Sequence, residues 1–214
     1  MKIKNKKLHR IDFKHSKSTD DYDEHDDYDE IYGKAVVDEG DDNAENYIDA
    51  GLIEAYFLNV EGINEPVHYL LDSISGDHER LAKYFDEENK INNKIRKLLK
   101  LSEEDVRVMS LNFLYIHKLK VLKKYRGLGI GKTLMQAMIN DYKRDSSLAF
   151  LIAAPLQFSG REINDDPSAE ESFNNRTEAQ SRKKLIELYE SYGFKKIPGG
   201  EGDMVAYIGD WFFY

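Results

Sequence analysis

A chain of 214 residues, 41% hydrophobic and 12% aromatic, is long enough and apolar enough to bury the core of one domain. It contains no cysteine, which excludes disulfides, thiolate metal sites and a cysteine nucleophile. A net charge of −9 argues against nucleic acid as the main partner, and no apolar window approaches the length of a membrane span. Met1–Lys7 is basic but lacks the apolar run of a secretory signal, so the expectation is a soluble, cytoplasmic protein with no nucleic-acid or membrane partner.

In chain order, Leu8 to Phe13 reads as a short strand. From Asp20 to Glu30, eight of eleven residues are acidic, and self-repulsion disfavours a packed element there. The spacing fails the calcium-loop pattern, so no metal is assigned, and residues 1–34 read as a solvated acidic arm. Strand signals follow at Ala35–Val37 and from Leu52 to Val60, joined by a polar turn as a hairpin. Val67 to Phe85 reads as helix, whole or broken at Ser75-Gly76, and Ile91 to Leu99 as another. Val106 to Leu111 is expected to be a strand.

The centre of the chain is a strand, Phe113 to Val121, then a turn with three glycines in five residues, then a helix from Gly129 to about Asp145. Ile130, Leu134, Ala137 and Met138 supply that helix's buried face. Six basic residues (Lys118, Lys120, Lys123, Lys124, Arg126, Lys132) fall within fifteen positions of an acidic protein. Glycines before a helix N-terminus expose backbone N–H groups in a positive field, which suits a phosphate or pyrophosphate. A Walker A loop would need glycine at Arg126, and the dinucleotide fingerprint would need glycine at Lys132, so both fail.

Leu148 to Ala154 is a continuous apolar run and reads as a buried strand. Strand, helix, strand implies a right-handed crossover and a parallel pair, with ligands at the strands' carboxyl ends. The polar stretch 155–177 is long for a connection without structure of its own. Glu178 to Tyr192 is helical and ends at Gly193. Phe194 to Ile197 and Met204 to Ile208 form a terminal antiparallel pair. The tail Trp211–Tyr214 completes the core, or covers the interface of a homodimer.

Arg126-x-x-Gly129-x-Gly131, five residues after Val121, resembles the acetyl-coenzyme A loop of the GNAT superfamily of N-acetyltransferases. Leu188-Tyr189-Glu190-Ser191-Tyr192-Gly193-Phe194 is similar to a second segment of that family. The resemblance covers about residues 105 to 208. It implies an α/β (α+β) fold: a mixed, mostly antiparallel sheet with a parallel pair at the cofactor cleft, flanked by helices, over residues 35–214. It also implies acetyl-CoA as co-substrate and a small-molecule or peptide amine as acceptor. Arg126, Gly127, Leu128, Gly129, Ile130, Gly131, Lys132 and Thr133 are then the pyrophosphate loop, and Leu119, Lys120 and Val121 the backbone that holds the pantetheine. One departure stands out: the family's frequent asparagine seven residues before the tyrosine is Arg182 here.

Acetyl transfer to an amine requires a positioned thioester, a donor for the developing oxyanion and charge relief for the leaving thiolate. The resemblance implies Tyr189 as general acid, and an ordinary phenol holds its proton at neutral pH. Tyr192, about one turn further on, competes with it. His117, two residues from Leu119 and expected on the same face, is the candidate base, since histidine titrates in the range that suits an amine. Tyr115 or a water chain are the alternatives. A second reading, of another class, is a catalytically weak CoA-binding regulatory or interaction module whose acidic arm binds the partner.

Overall fold

The computed structural model describes residues 8–17, 28–40, 45–63, 66–74, 80–155 and 177–209. Its strands are β1 (Leu8–Lys17), β2 (Tyr28–Asp38), β3 (Tyr47–Leu58), β4 (Phe113–Val121), β5 (Leu148–Ile152), β6 (Lys195–Lys196) and β7 (Asp203–Tyr207). Its helices are α1 (Val67–Ile74), α2 (Asn93–Leu99), α3 (Glu103–Val108), α4 (Ile130–Tyr142) and α5 (Glu178–Glu190). The strands form one sheet in the order β1-β2-β3-β4-β5-β7-β6. Every neighbouring pair is antiparallel except β4 and β5. This is the mixed sheet with one parallel pair that the strand–helix–strand pattern implies, because a crossover through α4 returns the chain in the same direction.

The sheet separates two cores. Under α4 and α5, Ile31, Ile53, Ala55, Leu114 and Ile116 meet Leu134, Met138 and Tyr189. On the other face, Leu58, Phe113, Tyr115 and Phe150 meet Leu71 of α1, Leu81 and Ile95 of α2. Alternation along the first half of β4 and along β5 sends successive side chains into different cores, Leu114, Ile116, Ala149 and Leu151 into one and Phe113, Tyr115, Leu148 and Phe150 into the other, which is why these stretches are apolar at both parities.

The segment expected as a strand from Val106 to Leu111 is instead helix α3 over its first three residues. Its start is set locally. Ser102 Oγ accepts from the Asp105 N–H at 3.0 Å, and the Asp105 carboxylate accepts from the Ser102 N–H at 2.7 Å. This reciprocal cap, with Glu103, Glu104 and Asp105 in the first turn, outweighs a short apolar alternation whose Val108 is 73% exposed. The helix expected over Val67–Phe85 is two pieces, α1 and a 3-10 turn at Ala82–Tyr84. Within residues 1–34, the stretch set apart as an arm, Leu8–Lys17 and Tyr28–Lys34 lie in the sheet, so the boundary at 34 falls inside β2. The core of the acidic run, residues 18–27, lies outside the described residues, as do 156–176 and the tail 210–214. Among the described residues no helix is long and apolar enough to cross a membrane.

Candidate functional site

The site begins where two parallel strands part. β4 and β5 pair only from Phe113↔Leu148 to Ile116↔Leu151. β4 then continues to Val121 held only by β3, through Leu119↔Ile53, Lys120↔Leu52 and Val121↔Gly51. Among the described strands, nothing pairs with the β5 side of its last five residues, which leaves a strand edge facing a cleft.

At the point of parting, β4 carries an extra residue. Ala55 pairs with Ile116 and Glu54 with Lys118, so His117 is the inserted residue of a bulge in the register. The bulge reverses the parity of the strand. Leu119 and Val121 pack on the α4 side with Leu114 and Ile116, while the His117 ring lies 6.1 Å from Tyr115 and 6.0 Å from Tyr56 on the other face. The expectation that His117 and Leu119 share a face is therefore corrected: a single inserted residue shifts a period-two pattern by one.

The glycine turn stands at the end of this open half-strand. Gly127 and Gly129 have φ of 77° and 81°, and Gly129 is the N-cap of α4. A Cβ on either would meet nothing within 4 Å, so the left-handed backbone, and not crowding, calls for glycine, and the space in front of both is open. The N–H groups of residues 127–132 have no acceptor among the described residues, and they converge at the positive end of a thirteen-residue helix. The Ile130 side chain is buried and Leu128 is half-exposed, so the loop turns its backbone outward. The Thr133 hydroxyl bonds back to the Gly129 carbonyl at 3.1 Å, which commits it within the helix.

Contacts behind the loop hold it. Tyr125 is buried in the core under α4, and burial, with Glu39 beside it, pushes its hydroxyl up to about 12. Lys124 pairs with Glu39 at 2.6 Å, Leu122 N–H donates to the Ala50 carbonyl at 2.9 Å, and Arg126 Nε donates to the Val121 carbonyl at 2.9 Å. Glu39 and Tyr125 are site-supporting residues that the sequence reading missed. Glu39 reads as one more acid in a polar turn, and only the hairpin brings it to the loop. The basic cluster is also partly neutralised inside the protein, since Lys118 pairs with Glu54 at 3.4 Å and Lys124 with Glu39.

Across the cleft, α5 brings Tyr189, and the turn after it brings Tyr192. Tyr189 is 9% exposed, with Tyr192 at 6.2 Å and Phe194 at 6.3 Å, both edge-on. Burial, and secondarily Tyr192, raises its hydroxyl to about 12. Tyr192 is half-buried, and burial raises it too. Its hydroxyl lies 3.8 Å from where a Gly131 Cβ would stand, with Val121 Cγ2 at 3.5 Å and Leu119 Cδ2 at 3.6 Å. Leu119, Val121, Gly131 and Tyr192 thus meet at one point, and His117 is on the far face. Arg182 is ion-paired with Glu178 one turn before it, and its Cδ lies 3.4 Å from where a Gly202 Cβ would stand.

Residues 95–196 match the family model of the acetyltransferase (GNAT) domain. Over these residues, just under half of the chain, the sequence is therefore similar to an acetyltransferase domain of the GNAT superfamily. No curated protein matches the chain. Among solved structures it is similar to a nourseothricin acetyltransferase, at 14% identity over 85% of this chain and 63% of that one, with a TM-score of 0.30. It is also similar to another acetyltransferase, at 17% identity over 81% and 69% of the two chains, again with a TM-score of 0.30. A GNAT family N-acetyltransferase from Escherichia coli in complex with CoA is 13% identical over 61% and 73%, with a TM-score of 0.27. The chain spans less than two thirds of the first of these, and such distant likenesses add nothing to the domain match.

Proposed function

We propose that the protein moves an acetyl group from acetyl-coenzyme A to a primary amine by direct attack. The observation that carries this reading is the outward-turned backbone of residues 127–132 at the end of a strand whose cleft edge is open. Those N–H groups receive the pyrophosphate, as a helix N-terminus with uncovered donors does. The backbone of Leu119, Lys120 and Val121 runs beside the pantetheine arm and bonds to it as an added strand would. The Val121 N–H serves the thioester carbonyl.

In the reaction the neutral amine nitrogen forms a bond to the thioester carbon, the carbon–sulfur bond breaks, and its electron pair leaves with the thiolate. Tyr189 gives its proton to that thiolate. Burial keeps its proton in place well above neutral pH. His117 takes the proton that the amine must lose. The bulge turns it to the face opposite Leu119 and Val121, so acceptor and cofactor approach β4 from different sides.

Calorimetric titration with acetyl-coenzyme A, beside ATP and NAD, tests the loop. Asparagine and aspartate both tolerate the left-handed backbone of Gly129 and differ only in charge. Gly129→Asp should bind acetyl-coenzyme A more than about a hundredfold more weakly than Gly129→Asn, because like charges then face one another. Equal binding by the two variants would remove the pyrophosphate from this turn.

A further inference from the structure

On the face of the sheet opposite α4, cross-strand pairing builds one continuous row: Ser16 with Glu30, Glu30 with Tyr56, and Tyr56 with Tyr115. The row ends beside the His117 bulge. Glu30 is half-buried, and both hydrogen bonds it accepts fall on the same oxygen. The Tyr32 hydroxyl donates to Oε2 at 2.9 Å and Ser16 Oγ donates to it at 3.5 Å. Among the described residues no hydrogen bond reaches Oε1 and no cation pairs with this carboxylate. Its neighbours on the same face are different in this respect: Glu54 pairs with Lys118 at 3.4 Å, and Lys34 pairs with Asp49 at 2.5 Å.

Tyrosines flank this carboxylate, Tyr32 through its hydrogen bond and Tyr56 as its cross-strand neighbour. Tyr56 has Tyr28 at 5.9 Å edge-on, Tyr115 at 6.4 Å stacked and His117 at 6.0 Å edge-on. Tyr32 is held protonated by its bond to Glu30, with its hydroxyl pushed up to about 12. A half-buried carboxylate beside tyrosine rings gains from a partner cation, and the same rings attract one through their quadrupoles.

We infer that Glu30, with Tyr32 and Tyr56, anchors the second ammonium group of a diamine acceptor whose first amine reacts beside His117. This rests on the acetyl-transfer reading of the cleft. Two strand spacings separate β2 from β4, so the two nitrogens of the acceptor stand on the order of 10 Å apart. The preferred substrate class is an aliphatic α,ω-diamine of about that span, or a longer polyamine containing it.

The test compares hexane-, heptane- and octane-α,ω-diamines with hexyl-, heptyl- and octylamine as acceptors. For the full chain, kcat/KM should be at least about tenfold higher for the matched diamine, as a charge-assisted hydrogen bond supplies. Glu30→Gln keeps the Tyr32 bond and the side chain's shape, so it should lower the diamine to the monoamine's level with melting temperature and monoamine turnover unchanged. Equal use of diamine and monoamine by the wild type, or a diamine preference that survives Glu30→Gln, would overturn the anchor and leave the acetyltransferase reading intact. If no amine is acetylated although acetyl-coenzyme A binds, the amine reading falls. Calorimetry with the diamine alone then decides the anchor: binding lost in Glu30→Gln upholds it, and no binding by the wild type ends it.

Discussion

Tyr189 and Tyr192 are separated by their surroundings more than by their chemistry. Tyr189 is the more buried and carries the larger desolvation, while the Tyr192 hydroxyl reaches the junction of Gly131, Leu119 and Val121. If Tyr189 is the proton donor, Tyr189→Phe should lower kcat by about a hundredfold or more and leave acetyl-coenzyme A affinity unchanged in calorimetry. An unchanged kcat, with a fall in Tyr192→Phe instead, transfers the role to Tyr192. The same residue has a signature in stability. Folding raises its hydroxyl from 10.0 to about 12, so the unfolded chain releases the proton first as pH climbs. Its contribution is complete below pH 10 and is lost between pH 10 and about 12, at up to about 1.4 kcal/mol per pH unit. Urea melts from pH 9 to 11.5 should show Tyr189→Phe losing stability less steeply than wild type over that window, on the order of that slope.

At the level of elements, a local signal and a distant one each overrode the apolar pattern. In α3 the local one prevailed: the Ser102–Asp105 box satisfies two orphan donors and starts a helix on a segment with strand-like alternation. Ser102→Ala should cost about 1 kcal/mol in urea unfolding, the usual worth of such a cap. A loss near zero would mean that packing around Met109 alone holds the helix. In β4 the distant signal prevailed. Its sequence carries no mark of a break at His117, and the inserted residue is visible only in the register with β3, where Glu54 and Ala55 span Lys118 and Ile116. That register separates the candidate base from the hydrophobic edge of the cleft.

For the whole molecule, the sheet must be held closed beyond the point where β4 and β5 part. At the start of β7 the fully buried Asp203 carboxylate accepts from the Tyr84 hydroxyl at 2.6 Å, pairs with Arg80, and has Lys83 Nζ at 3.2 Å. Burial and this bond both raise the Tyr84 hydroxyl. The network ties residues 80–84 to the end of β5, because Asp203 pairs with Ile152. Asp203→Asn removes the charge to which these donors point, and it should cost about 2 to 3 kcal/mol by urea unfolding. A neutral result would show that the half-exposed Arg80 and Lys83 turn to water without penalty.

The sequence by itself determined the parts written in neighbouring residues. The glycine turn, the helix behind it, the apolar β5, the hairpin of β2 and β3, and the Leu188–Phe194 segment are all legible because caps, turns and periodicity act over a few positions. It was enough to point to the GNAT superfamily and to acetyl-coenzyme A. Only the tertiary structure decided which face His117 occupies, that Glu39 braces the glycine loop, that β1 joins the sheet, and that Glu30, Tyr56 and Tyr115 form one row. Those relations depend on strand register and on pairs far apart in the chain, such as Glu39 with Lys124 and Arg80 with Asp203. No periodicity within a segment encodes them, because register is chosen by the summed packing of both faces of the sheet.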